Sequence, residues 1–191
     1  RDGWIIADNA NVDKWPAIPY LVSEYLSDKT DIAVGAVACY QGASVIESWV
    51  PKGAFESIGI NIPIDDRHKD HVDEWFGKWN KNGDLYDFAF KQVVPFTFNG
   101  VIWYQGESNT GFREAPYYDK YLGALLKEWR QSNPNKALPF FAVELSPFDS
   151  VLAGWAPEPL GDWASVRAGI LRAAEAEKDF YAVSLTEVAD L

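Results

Sequence analysis

The 191-residue sequence contains no methionine, a single cysteine and two histidines, and its acidic side chains outnumber its basic ones by 28 to 17. Each shortage removes a class of explanation. With Cys39 alone, no intrachain disulfide can form; set in the apolar run from Ile32 to Tyr40 with no histidine near it in sequence, the thiol is expected to be a packed core residue rather than a nucleophile. A formal net charge of −11 repels polyanions, which argues against nucleic acid and anionic membrane surfaces as partners. No apolar stretch approaches the roughly 20 residues that span a bilayer, and the start shows no charged segment followed by an apolar one. A chain that opens on Arg1 and holds no methionine is expected to be a piece of a longer translation product.

What is present suits one globular domain with a real core, since 48% of the residues are apolar and 24% charged. Short apolar runs at Trp4 to Ala7, Ile32 to Cys39, Gly100 to Tyr104, Leu138 to Leu145 and Phe180 to Leu185 predict buried strands. Between them lie stripes of helical spacing. Ile18, Leu21, Val22, Tyr25 and Leu26 form the first, with Pro16 and Pro19 confined to its first turn; Tyr118, Tyr121, Leu122, Leu125 and Trp129 form the second; Trp163, Val166, Ile170, Leu171 and Ala174 form the third. Strand and helix in alternation imply an α/β domain with a mainly parallel sheet covered on both faces. Residues 50 to 98 and 147 to 160 break that rhythm, and in an open parallel sheet long loops after strands frame the binding crevice.

Two strand ends concentrate polar and small residues. One is Gln105-Gly106-Glu107-Ser108-Asn109, where two amides, a glycine and a carboxylate gather after Val101-Ile102-Trp103-Tyr104 and suit either the binding of a developing oxyanion or the orientation of an imidazole. The other is Gln41-Gly42-Ala43-Ser44, in which Gly42 can present a backbone N–H with no side chain in the way. Each also reads as an ordinary turn. Ser44 and Ser108 stand outside any G-x-S-x-G elbow, which argues against either as a nucleophile. His68 and His71, three apart among carboxylates, could share a helical face and hold a metal ion, but without an H-E-x-x-H pattern and with Arg67 and Lys69 beside them they read better as a solvated charged face. Nine tryptophans and nine tyrosines are many for this length, and aromatic faces suit sugar rings; Trp49 and Trp155 are the candidates for substrate contact. Arg167 shares the third stripe and is expected to face inward in an ion pair, with substrate binding as the alternative.

Trp103-Tyr104-Gln105-Gly106-Glu107-Ser108-Asn109 resembles the WYQGESN block of the sialate O-acetylesterases and related acetyl xylan esterases, a branch of the SGNH hydrolases. Gln41-Gly42-Ala43-Ser44-Val45-Ile46-Glu47-Ser48-Trp49 resembles the glycine block of the same group, with Gln41 where the family often has a second glycine. The resemblance implies a flavodoxin-like three-layer α/β/α sandwich and removal of acetyl groups from sugars by a Ser-His-Asp type triad, with no metal or cofactor. It also implies Gly42 as backbone oxyanion donor and residues 105 to 109 as a polar wall in which Gln105 or Asn109 supplies the side-chain donor, with Glu107 a candidate to orient the histidine. The family's GQS-like nucleophile segment and its D-x-I-H-P-like segment have no counterpart in these 191 residues, so the nucleophile and histidine are expected outside them. A non-catalytic carbohydrate-binding module on the same fold is the alternative from another class.

Overall fold

A computed structural model describes residues 4–8, 10–59, 79–93, 96–111, 113–149, 151–154, 156–157, 159, 161–185 and 188. His68, His71 and Trp155 lie outside the described residues. The chain forms two compact units, Arg1–Tyr40 and Gln41–Leu191.

In the first unit, a 3₁₀ turn at Val12–Lys14 leads into helix α1, Ala17–Thr30. Pro16 supplies the extended N-cap, and Pro19 falls in the first turn, where its missing N–H costs nothing. The helix stops at Asp31, a left-handed residue whose N–H closes on the Ser27 carbonyl. The expected stripe is there, but Ile18, Leu21, Tyr25 and Leu26 are all exposed. The runs Trp4 to Ala7 and Ile32 to Cys39, predicted as strands, form none: both stay outside the sheet, without the ladder partner that turns an apolar run into a strand. Cys39 is accordingly exposed and not the core residue expected.

The second unit carries a parallel sheet of three strands in the order β1 (Val101–Trp103), β2 (Phe140–Val143), β3 (Phe180–Val183). Helix α2, Tyr118–Ser132, crosses from β1 to β2, and helix α3, Trp163–Ala176, from β2 to β3. The two helices pack on each other and on one face of the sheet, so the strands alternate: Val101, Phe140, Ala142 and Phe180 are buried, while Ile102, Phe141 and Tyr181 between them are exposed. The α/β class and the parallel sheet are as predicted, and within this unit the described helices supply one layer. Cross-strand aromatic pairs stack on both faces, Phe140 on Phe180 at 5.4 Å and Phe141 on Tyr181 at 5.1 Å between ring centroids.

Tyr118, Tyr121, Leu122, Leu125 and Leu126 line the buried side of α2, each burial worth on the order of 2 kcal/mol. At its far end Trp129 meets the edge of Phe90, and Arg130 reaches across to the carbonyls of Leu138 and Lys178, tying together the segments that lead into β2 and β3. On α3, Val166, Ile170 and Ala173 are buried, whereas Leu171 of the predicted stripe faces solvent and Arg167 is half-buried with no ion pair among the described residues. Asp162 caps α3 by accepting from the Ser165 N–H at 2.9 Å, and its own N–H donates to the Thr110 carbonyl at 2.6 Å.

That junction leaves no room at Gly161. A Cβ there would lie 2.5 Å from Thr110 Oγ1 and 2.9 Å from the Thr110 carbonyl oxygen. Gly161→Ala is expected to destabilise the unit by about 1–3 kcal/mol through overpacking, read as a lower urea midpoint with an unchanged slope.

Candidate active site

The site is built where β1 ends. Gly106, at φ 151°, turns the chain out of the strand into a 3₁₀ turn over Glu107–Asn109. A side chain at 106 would be strained by that φ and would place its Cβ 2.8 Å from Val166 Cγ1, so the glycine lets α3 close directly over the bend. The Asn109 N–H returns to the Gly106 carbonyl and Thr110 Oγ1 donates to the Glu107 carbonyl, which holds both amide side chains on the buried side.

Against this bend lies the segment Ala43 to Trp49. The Ile46 N–H donates to Asn109 Oδ1 at 2.9 Å, and Gln105 Nε2 donates to the Ser44 carbonyl at 2.7 Å and to Asn109 Oδ1 at 2.9 Å. Asn109 Nδ2 donates to Glu47 Oε2 at 2.9 Å. Asn80 completes the clasp from elsewhere in the chain: its Oδ1 accepts from the Val45 N–H at 3.0 Å and its Nδ2 donates to the Ala43 carbonyl at 2.9 Å. Four consecutive residues therefore each have one backbone group, Ala43 C=O, Ser44 C=O, Val45 N–H and Ile46 N–H, satisfied by a side-chain amide. This holds Ala43 in the left-handed region at φ 58°, a conformation that costs an alanine of order 1 kcal/mol.

Of the residues singled out in the sequence, Gln105, Gly106, Glu107 and Asn109 share one bend, and Gly42 begins the other. Gly42 is exposed and a Cβ added to it would meet nothing within 4 Å. Gln105 retains 8% of its surface and Asn109 none, while Glu107 is exposed. Trp49 is placed in the core instead of on a substrate surface: its Nε1 donates to Ser44 Oγ at 3.0 Å and its ring stands edge-on to Trp103 at 5.9 Å. Ser44 is spent as well, being buried and donating to the Gln41 carbonyl at 2.8 Å. The metal reading of His68 and His71 falls on residues outside those described, and the described residues hold no cluster of three or more metal-ligating side chains.

Three contributors escaped the sequence reading. Asn80 lies 35 residues from its partner, with only the turn-forming Asn82-Gly83 beside it as a signal. Tyr118 was legible as one apolar position on a helix, yet its hydroxyl donates towards Gln105 O at 2.7 Å and Gln105 Oε1 at 2.8 Å. Glu47 is buried with no cation against it among the described residues; burial pushes its carboxyl up to about 7, the Asn109 N–H opposes that shift, and the charge of Glu114 adds to it.

Comparisons with known proteins identify the family and the fold. Residues 19–159 match the family model of carbohydrate esterases described as sialic acid-specific acetylesterases. The chain belongs to this family. It is 26% identical over 141 residues to the human sialate O-acetylesterase, covering 68% of this chain and 25% of that protein, and 22% identical over 168 residues to the mouse sialate O-acetylesterase. A carbohydrate acetylesterase from Xanthomonas citri superposes with a TM-score of 0.75 at 26% identity, over 95% of this chain and 37% of that one. An Arabidopsis thaliana protein, 16% identical with a TM-score of 0.56 over 91% of this chain and 58% of its own, shares the fold. The chain thus spans about a quarter of the length of the human relative it matches.

The raised Glu47 carboxyl gives the Ala43 to Trp49 segment a pH signature. The folded unit holds this proton more tightly than the unfolded chain, so the group's stabilising contribution is complete below about pH 4.5 and is lost as pH rises through about 7. Across that window the loss is about 3 kcal/mol. Glu47→Gln cannot ionise, and its urea stability between pH 4.5 and 7.5 is expected to fall less steeply than that of the unaltered protein; parallel curves would remove Glu47 as the source.

Proposed function

We propose that this chain forms the oxyanion side of an esterase that removes acetyl groups from carbohydrates. The observation that carries the reading is the direct joining of the glycine bend to the amide bend through Gln105 and Asn109. Acyl transfer needs donors aimed at the carbonyl oxygen as it becomes negative, on a frame that does not relax when charge appears. The Gly42 N–H, exposed beside open space, is one such donor. Of the two amides, Gln105 reaches the surface and Asn109 does not, which favours Gln105 as the side-chain donor and Asn109 as the tether behind it. For Gln105 to reach an oxyanion one of its two bonds must open. The longer one, to Asn109 Oδ1, can be released without orphaning that oxygen, which keeps the Ile46 N–H.

The serine and the histidine are assigned to other segments of the protein, because Ser44 is committed to the frame and these 191 residues hold no GQS-like or D-x-I-H-P-like segment. In this reading a serine oxygen attacks the acetyl carbon as its proton passes to an imidazole; the tetrahedral oxyanion rests on Gly42 N–H and Gln105 Nε2–H. The bond to the sugar oxygen then breaks, the imidazole proton goes to that oxygen, and water releases acetate from the acyl-serine by the same steps. An O-acetylated sugar is the substrate class, as the names of the relatives suggest. Trp155 keeps its candidacy as a substrate contact, and Glu107, exposed at the mouth of the bend, as the partner that orients the imidazole.

The full-length protein is expected to release acetate from p-nitrophenyl acetate and from an O-acetylated sugar. Gln105→Ala should lower kcat by about 10²- to 10³-fold. Gly42→Ala, which clashes with nothing in the fold, should lower kcat/KM while leaving the urea midpoint within about 0.5 kcal/mol of the parent. Undiminished rates in both variants would remove these residues from the mechanism.

A further inference from the structure

The network around Gln105 extends one step deeper, onto α2. Tyr118 sits at the first position of that helix and is fully buried, and its hydroxyl is the meeting point of three groups. The single O–H hydrogen lies within reach of Gln105 O at 2.7 Å and Gln105 Oε1 at 2.8 Å, and the oxygen accepts from Trp103 Nε1 at 3.3 Å. Indole N–H can only donate, so Trp103 occupies a lone pair of the hydroxyl and leaves its hydrogen to point at Gln105. Burial pushes the Tyr118 phenol far above its usual range, so the hydrogen is retained at any physiological pH.

The geometry points to Tyr118 as a positioning residue that sets the direction of the Gln105 amide: with Oε1 held by the phenol, Nε2 faces the Ser44 carbonyl and the crevice. The inference rests on the reading of Gln105 as an oxyanion donor. A flipped amide would set its carbonyl against the Ser44 carbonyl and Asn109 Oδ1, two acceptors, and would still find a bond at Tyr118, because a phenol both donates and accepts. The phenol alone therefore does not choose. The Ser44 carbonyl and Asn109 Oδ1 oppose the flip, and Trp103, by occupying a lone pair of the hydroxyl and turning its hydrogen towards Gln105, reinforces the same orientation. Trp103 is in turn braced edge-on by Trp49, whose own Nε1 holds Ser44 Oγ. The two indoles thus act on the two bends, one through Tyr118 on Gln105 and the other through Ser44 on the Gln41 carbonyl.

The test is a double-mutant cycle in the full-length protein with p-nitrophenyl acetate as probe. Tyr118→Phe, which removes only the hydroxyl, should lower kcat about tenfold with KM within about twofold of the parent. Added to Gln105→Ala it should have no further effect, because its route runs through that amide. Trp103→Phe, which leaves the phenol in place, should give a smaller loss that also vanishes in the Gln105→Ala background, and it serves where Tyr118→Phe does not fold. An unchanged kcat in both variants, or losses that multiply with that of Gln105→Ala, would overturn the inference. A second readout needs no activity: the Gln105 side-chain NH₂ signals, assigned by their loss in Gln105→Ala, should exchange with solvent faster in Tyr118→Phe or Trp103→Phe. If the parent protein releases no acetate, the esterase reading fails, while unaltered exchange in both variants would sink the role of Tyr118 alone.

Discussion

Everything at the site follows from two backbone groups whose roles cannot be exchanged. The Ile46 N–H can only donate and the Ser44 C=O can only accept. The first requires that Asn109 present its oxygen, which turns Asn109 Nδ2 towards Glu47; the second requires that Gln105 present its nitrogen, which then also meets Asn109 Oδ1. Two side chains that in isolation could flip are left with one orientation each. Removal of either backbone bond would leave a buried polar group unsatisfied, at a cost of about 1–3 kcal/mol.

The sheet and helices exist, for this purpose, to bring that pair of bends together from opposite ends of a long stretch of chain. β1 delivers the amide bend, Gly106 turns it, and the missing side chains at Gly106 and Gly161 let α3 settle on it from one side while α2 supplies Tyr118 from beneath. The clasp on the Ala43 to Ile46 segment is completed by Asn80, outside both elements. Glu47, Tyr121 and Glu114 lie together beneath it, and burial there raises the affinity of the Glu47 carboxyl for its proton.

How much of this could be read in the sequence depended on how local each signal was. The bends at Gly42 and at Gln105 to Asn109 were legible as polar, glycine-bearing segments after apolar runs, although only the second follows a strand, and the α2 and α3 stripes were legible from their period. The direction of the error at Ile32 to Cys39 and Trp4 to Ala7 has the same origin: hydrophobicity marks a segment fit for a strand, but pairing is a property of two segments. Trp49 was misplaced because a tryptophan beside a site has the same letter whether it faces sugar or core. Asn80 and the Tyr118 hydroxyl act across 35 and 13 residues, and no spacing rule links a side chain to a backbone group that far away.

Ala43 carries a last consequence. A residue with a Cβ does not stay left-handed unless its surroundings oblige it to, and here the obligation is met by the protein's own side-chain amides. The reorganisation that a flexible loop would undergo on meeting a charged intermediate has thus been carried out during folding. On the proposed reading the backbone of this bend needs no further ordering when an ester binds, and the one local change left is the opening of the Gln105 to Asn109 bond, so the conformational entropy of the bend weighs on stability.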